Sequence, residues 1–311
     1  MLLALTFTLG GLAILPLVAD RFVVAATRIS RALGLSPILV GALLVGFGTS
    51  LPEIVVSGLA AAKGETSFAV ANVVGSNVAN LALVLGVAAS IRPIASSRGL
   101  IRKEGSLVLI VTLLYVAIHI NGDVQWWEGV ILLIVLALAL GLLIRWSEGG
   151  LLDDDDDLER YVTVRKELFV GVLTMGATVA AATILVEGAE RLAVELDIQS
   201  AFIAATLVAV GTSLPELATA VAAVRRHEAD LVLGNVLGSN LFNSLAVGGV
   251  AGVVGPGVID PGFRVLLLAM LAITAFTGLV AVTGSRLARS EGAALLVVFA
   301  LFVWLAGSNL A

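Results

Sequence analysis

Long apolar stretches alternate with short charged or turn-rich breaks along the whole chain. The stretches fall at about 2–20, 37–62, 67–90, 105–120, 126–144, 168–190, 199–224, 230–252, 263–284 and 291–308. Each is long enough, or nearly so, for the roughly 20 residues a membrane-spanning helix needs. The first has no basic leader and no small-residue cleavage site before Asp20, so it is expected to stay as a span. The pattern predicts an all-α membrane protein of ten transmembrane helices. Composition agrees: 59% of the 311 residues are hydrophobic and 13% charged, with mean hydropathy +1.09. That balance excludes an ordinary soluble enzyme and a disordered chain. A net charge of −5 argues against a nucleic-acid partner. With no cysteine and only His119 and His227, thiolate and multi-histidine metal sites are excluded.

Basic residues set the orientation. With the N-terminus outside and ten crossings, 15 of the 18 Lys and Arg residues fall in inner loops, and only Lys63, Arg191 and Arg264 stay outside. Both termini are then outside. Trp126 and Trp146 sit 20 residues apart, about 30 Å of helix, and are placed to bracket the fifth span at its two interfaces.

Polar residues inside the apolar stretches repeat. GTSLPE stands at Gly48–Glu53 and again at Gly211–Glu216, and GSN at Gly75–Asn77 and again at Gly238–Asn240. All are 163 residues apart, as are Asn72 and Asn235, Asn80 and Asn243, and Gly86 and Gly249. Over 46–80 and 209–243, 14 of 35 positions are identical. The offset spans five helices, an odd number, so the copies enter the membrane from opposite sides. The expected organisation is two inverted five-helix repeats, 1–145 and 167–311, around an acidic cytoplasmic loop at 146–166. Inverted repeats are the build of many secondary transporters, whose sites lie near the midplane.

The motif carries chemistry suited to a cation. A central carboxylate costs about 2.5–3.5 kcal/mol to insert, and this chain carries one in each copy, Glu53 and Glu216. Pro52 and Pro215 have no N–H to give to the carbonyls of Gly48 and Gly211. Thr49, Ser50, Thr212 and Ser213 add hydroxyls in the same turns. In the following segments Ser76 and Asn80, and Ser239 and Asn243, share a helix face. Asn72, Asn77 and their mates extend the polar stripe, with interhelical glue as the alternative reading, and Gly75 and Gly238 read as small-residue packing positions. Oxygen donors alone favour Ca²⁺, Mg²⁺, Mn²⁺ or Na⁺ over Zn²⁺ or Cu⁺. Two carboxylates balance one divalent cation, two monovalent cations or two protons.

At these residues the chain resembles the sodium/calcium exchangers of the cation/calcium antiporter superfamily, in their compact prokaryotic form. The resemblance rests on GTSLPE followed by GSN-x-x-N, present twice, with its core at about 46–90 and 209–252. It implies that Glu53 and Glu216 hold Ca²⁺ with the carbonyls of Thr49 and Thr212. It implies sodium sites drawing on Ser50, Ser76, Ser213, Ser239 and the carbonyls of Gly46 and Ala209, with Asn80 and Asn243 completing the centre. The first and sixth helices are then expected to slide past this core. Some relatives carry aspartate where this chain has Asn80 or Asn243, and asparagine at both argues against potassium co-transport.

The resulting expectation is a Ca²⁺/Na⁺ antiporter of the plasma (inner) membrane, with a proton-driven Ca²⁺ or Mn²⁺ antiporter as the alternative and a passive cation channel outside that class. An enzyme is not expected, since no HExxH, cysteine or Ser–His arrangement lies in a span. The partners are the transported Ca²⁺ and Na⁺ and the bilayer, with no cofactor and no obligate protein partner. The Asp153–Asp157 run reads as solvated loop, and the histidines are given no role.

Overall fold

The computed structural model describes residues 1–95, 101–147, 164–195, 209–284 and 286–310. Its elements in chain order are α1 (Leu2–Leu33), α2 (Pro37–Thr49), α3 (Leu51–Ala62), α4 (Thr66–Ile91), β1 (Ile94–Ala95), α5 (Ser106–His119), β2 (Asp123–Val124), α6 (Trp126–Ser147), α7 (Val164–Glu195), α8 (Ala209–Thr212), α9 (Leu214–Arg225), α10 (Ala229–Val254), β3 (Gly257–Val258), α11 (Phe263–Gly284), β4 (Arg286–Leu287) and α12 (Arg289–Leu310). Helix α5 is preceded by a π-helical turn at Ile101–Gly105. Among the described residues seven helices are long and apolar enough to cross a membrane, or eight with α2 and α3 taken as one bent span.

Helix α1 runs thirteen residues past the apolar stretch that announced it. Hydropathy marks where the helix leaves lipid, whereas a cap marks where it ends. The cap is Gly34, left-handed at φ 63, with the Leu35 N–H returning to the Ser30 carbonyl at 2.9 Å. Ser36 then caps α2 by accepting from the Leu39 N–H at 3.2 Å, with Pro37 in the first turn. Helix α6 has Trp126 and Trp146 near its two ends, as expected. The Asp153–Asp157 run lies outside the described residues.

Helices α1 and α7 lie against each other antiparallel. Gly11 meets Leu185, Gly188 meets Thr8, and Gly171 faces Ile29, with no room for a side chain at Gly11 or Gly188. The rest of the core is built by α4 and α10, buried nearly throughout. Helix α10 packs on α2 through glycines: a Cβ on Gly234 would fall 2.3 Å from the Ile38 carbonyl, and one on Gly238 2.5 Å from the Ala42 Cα. Gly238 is thus a packing position; the residue that would mirror Ala42 against Gly75, at 205, lies outside the described residues.

The 163-residue offset governs contacts as well as sequence. Strand β1 pairs with β4, Ile94 opposite Leu287 and Ala95 opposite Arg286. Strand β2 pairs with β3, Val124 opposite Gly257 and Asp123 opposite Val258. Adding the offset to either ribbon generates the other, residue for residue. The same holds for Gly86 against Gly292 and Gly249 against Gly129, which let the ends of α4 and α10 touch α12 and α6. In each pair one partner comes from 1–145 and the other from 167–311, so the halves are stitched crosswise.

Candidate functional site

The two GTSLPE segments fold alike because proline forces it. Pro52 and Pro215 fit the first turn of a helix and cannot continue the helix before them. The chain therefore breaks at Ser50, φ −85 and ψ 0, and at Ser213, φ −91 and ψ 5. Both lie in the sparsely populated bridge region. Helices α2 and α3 meet there at 42°. Each break starts a new twelve-residue helix and puts Glu53 or Glu216 in its first turn. Unpaired N–H groups and the positive end of the helix dipole favour an anion at that place by about 0.3–1 kcal/mol. That offsets part of the burial cost of each carboxylate, and only part.

The two glutamates are brought together. Each is 1% exposed, and each lies close enough for its charge to act on the other. Thr49 lies beside Glu216, although its hydroxyl proton goes to the Val45 carbonyl at 2.9 Å. The Ser239 hydroxyl donates to the Gly46 carbonyl at 3.4 Å, so α10 touches the turn before the first break. Ala209–Thr212 packs on Thr66–Val78 in the mirrored arrangement.

Most of the side chains expected to serve a cation, Thr49 and Ser239 aside, share a second property. Both carboxylate oxygens of Glu53 and of Glu216, the hydroxyls of Ser50, Ser76, Thr212 and Ser213, and both amide atoms of Asn80 and Asn243 are buried without a hydrogen-bond partner. An unsatisfied buried polar group costs about 1–3 kcal/mol, more when charged. Most of the buried polar atoms without a partner among the described residues belong to the two repeated motifs, which a merely structural core does not explain. Their oxygens are of the kind that hard cations bind. Among the described residues no cluster of three His, Asp or Glu side chains forms.

Asn72 and Asn77, with their mates, do something else. Asn72 donates to Ser57 at 2.8 Å, tying α4 to α3, and Asn235 donates to Thr219 at 3.2 Å, tying α10 to α9. Asn77 donates to Ser244 at 2.9 Å, and Asn240 to the Asn77 carbonyl at 3.3 Å. These are the glue positions, now with named partners.

Two features were not read from the sequence. Helix α2 opens into π-helix over Gly41–Gly46, α4 over Ala79–Val84 and α10 over Asn243–Val247. The last two place Asn80 and Asn243 in widened turns, a distortion frequent at functional sites. A π-turn has no residue signature of its own, and only the surrounding polar residues hinted at it. The second feature is the cover on the breaks. A Cβ on Gly48 would fall 1.9 Å from Met175 Sδ and one on Gly211 2.7 Å from Val186 Cγ2, so α7 lies over both motif glycines. Met175 and Val186 look like ordinary apolar residues, and nothing local marks them.

Comparison with known proteins gives consistent matches. The sequence model of the family described as "Sodium/calcium exchanger protein" matches residues 3–145 and 166–307. The putative antiporter CaxA of Alkalimonas amylolytica is 36% identical over 99% of this chain and 100% of its own length. The sodium/calcium exchanger MaX1 of Methanosarcina acetivorans is 29% identical over 97% of this chain and 96% of its own. Solved structures of the sodium-calcium exchanger NCX_Mj superpose with a TM-score of 0.85 at 29% identity, covering 98% of both chains.

Proposed function

We propose that this chain, which belongs to the sodium/calcium exchanger family, exchanges Ca²⁺ for Na⁺ across the plasma (inner) membrane by alternating access. The observation that carries the reading is the buried, unpartnered oxygen set around Glu53 and Glu216. Those two carboxylates hold Ca²⁺, together with the carbonyls of Thr49 and Thr212. Ser50, Ser76, Ser213 and Ser239 and the carbonyls of Gly46 and Ala209 serve Na⁺, and Asn80 and Asn243 complete the centre. Two negative charges match one Ca²⁺ or the monovalent ions that replace it, so the two cargoes compete for the same oxygens. Exchange follows when only loaded states change the side they face. The family names in the matched relatives support both cargoes.

The membrane arrangement in this reading is ten spans as two inverted repeats, with both termini outside. The two ribbons support the orientation. The β1–β4 end carries exposed Arg92, Arg286 and Arg289, whereas the β2–β3 end carries Asp123, Asp260 and the exposed indoles of Trp126 and Trp127. A frame related by one offset thus bears three exposed arginines at one end and Arg264, bonded to the Asn121 carbonyl, at the other, the excess of basic residues that the positive-inside rule expects of an inner face.

Proton coupling is the second reading, favoured by the same glutamates, since a carboxylate that binds Ca²⁺ also binds H⁺. Sealed vesicles separate the two. An imposed Na⁺ gradient drives Ca²⁺ uptake with a protonophore present if sodium is the counter-ion. Uptake that follows only the pH gradient assigns the proton and overturns the sodium reading. Current without any counter-ion gradient, far above transporter turnover, overturns exchange altogether.

A further inference from the structure

The 163-residue symmetry keeps Asn72 and Asn235 but changes what they hold. Asn235 donates to the Thr219 hydroxyl at 3.2 Å and to the backbone carbonyl of Glu216 at 3.4 Å. Thr219 in turn donates to the carbonyls of Pro215 at 2.9 Å and Glu216 at 3.0 Å. Such a back-bond is ordinary for a threonine within a helix. What is added here is a second donor, from another helix, on the same carbonyl. Asn235, Thr219 and Glu216 are each 1% exposed, so bulk water does not compete for these bonds.

The first copy is wired differently. The counterpart of Thr219 is Val56, which is 37% exposed and turned away from the core, and the counterpart of Ala220 is Ser57. Asn72 therefore donates to Ser57 at 2.8 Å, the next residue along α3 and a full turn past Glu53. Among the described residues no side chain bonds to the carbonyl of Pro52 or Glu53. Each glutamate stands in the first turn after a break, so the backbone of that one turn sets the aim of its carboxylate. In the second copy α10 grips this turn itself, whereas in the first α4 grips the turn beyond it.

We propose, resting on the reading of Glu216 as a Ca²⁺ ligand, that Asn235 acts through Thr219 as a positioning residue, fixing the Glu216 turn so that its carboxylate is aimed at the ion, a brace that Glu53 lacks. Asn235 supplies no ligand atom in this role. Loss of an outer-shell partner that orients a metal ligand lowers metal affinity by about 10–100-fold. The low end applies here, because the brace holds the backbone of Glu216 and not its carboxylate. The two acidic ligands of one cage are thus held with unequal firmness, although the sequence around them repeats.

The test compares two hydroxyl deletions in the purified full chain, Thr219→Val and Ser57→Ala. Each removes the acceptor of one interhelical asparagine bond, so a merely structural role gives both the same effect. Half-saturation by Ca²⁺ is read twice, from exchange in proteoliposomes and from the Ca²⁺-dependent rise of the melting temperature in sodium-free detergent. In Thr219→Val it should rise about tenfold by both readings, with the maximal exchange rate unchanged. In Ser57→Ala it should stay at the value of the unmodified chain. Thr219→Ser keeps the hydroxyl and should restore that value. Asn235→Leu removes the donor from the other end and gives the same rise if Thr219→Val fails to fold. Unchanged half-saturation in the folded variant, or equal rises in Thr219→Val and Ser57→Ala, overturns the positioning role and leaves Glu216 as a ligand. A melting temperature of the unmodified chain that ignores Ca²⁺ overturns the ligand reading, and the positioning role falls with it.

Discussion

Asn240 donates its side-chain amide to the backbone carbonyl of Asn77, its own counterpart 163 residues earlier, at 3.3 Å. Two copies of one position thus touch where the halves meet. The contact is not reciprocal, since Asn77 turns its amide to Ser244 at 2.9 Å, and Ser244 is mirrored by Leu81, which accepts nothing. Asn77 therefore takes part in three bonds across the seam, to Ser244, to the Met270 sulfur at 3.5 Å and from Asn240, and Asn240 in one. Asn77→Ala is expected to lower stability by about 1–3 kcal/mol, because it leaves the Ser244 hydroxyl buried and alone. Asn240→Ala should cost less. Thermal unfolding in detergent, followed side by side for the two variants, checks the order.

Glu53→Gln and Glu216→Gln are each expected to abolish Ca²⁺ exchange, since half the charge balancing Ca²⁺ disappears. The same changes should leave the fold intact or firmer, because a buried charge is exchanged for a neutral amide. Flux in proteoliposomes and a melting curve test both halves of the statement. Near-normal flux from either variant would refute the cage.

Acidification should weaken Ca²⁺ binding in the unmodified chain, because each proton bound to Glu53 or Glu216 removes a ligand charge. Raising Ca²⁺ at fixed low pH should then restore exchange. Ca²⁺ titrations of exchange at two or three pH values report this as a shift in half-saturation with an unchanged maximum.

Gly238→Ala forces a methyl to within 2.5 Å of backbone at Ala42 and should cost about 1–3 kcal/mol or more. Thermal unfolding in detergent checks it, and an unchanged melting temperature would mean that α10 and α2 do not meet closely there.

Asp20 and Arg226 tie α1 to the end of α9 through two bonds of 2.5 and 2.6 Å. Both side chains are more than a third exposed, so Asp20→Asn should change stability by less than about 1 kcal/mol. If α1 slides past the core, this tie breaks in every cycle. Exchange by Asp20→Asn should then be faster at low ionic strength and unchanged at high, where salt already screens the pair. Initial rates at two salt concentrations decide it.

Much of the fold was legible because lipid leaves few choices. A stretch such as Trp126–Ser147 has no way to satisfy its backbone other than a helix. The breaks at Ser50 and Ser213 were legible too, because proline before glutamate inside apolar sequence has few structural meanings. What hydropathy did not carry was set by other forces: the end of α1 by a glycine cap, the π-turns at Asn80 and Asn243 by packing, and the cover on Gly48 by Met175, more than a hundred residues away. Ser244, which accepts from Asn77 while its counterpart Leu81 accepts nothing, shows the limit of symmetry as a guide. Sequence repeats, but two halves in one conformation need not use each repeated residue alike.

The crosswise ribbons have a consequence for biogenesis. Strand β1 waits for β4, which is synthesised about 190 residues later. The amino-terminal half must therefore sit in the lipid with its seam open while the rest of the polypeptide emerges, exposed meanwhile to proteases and to neighbouring chains in the same state. Anything that delays translation past the midpoint prolongs that exposure, and two nascent copies could close each other's seams in place of their own.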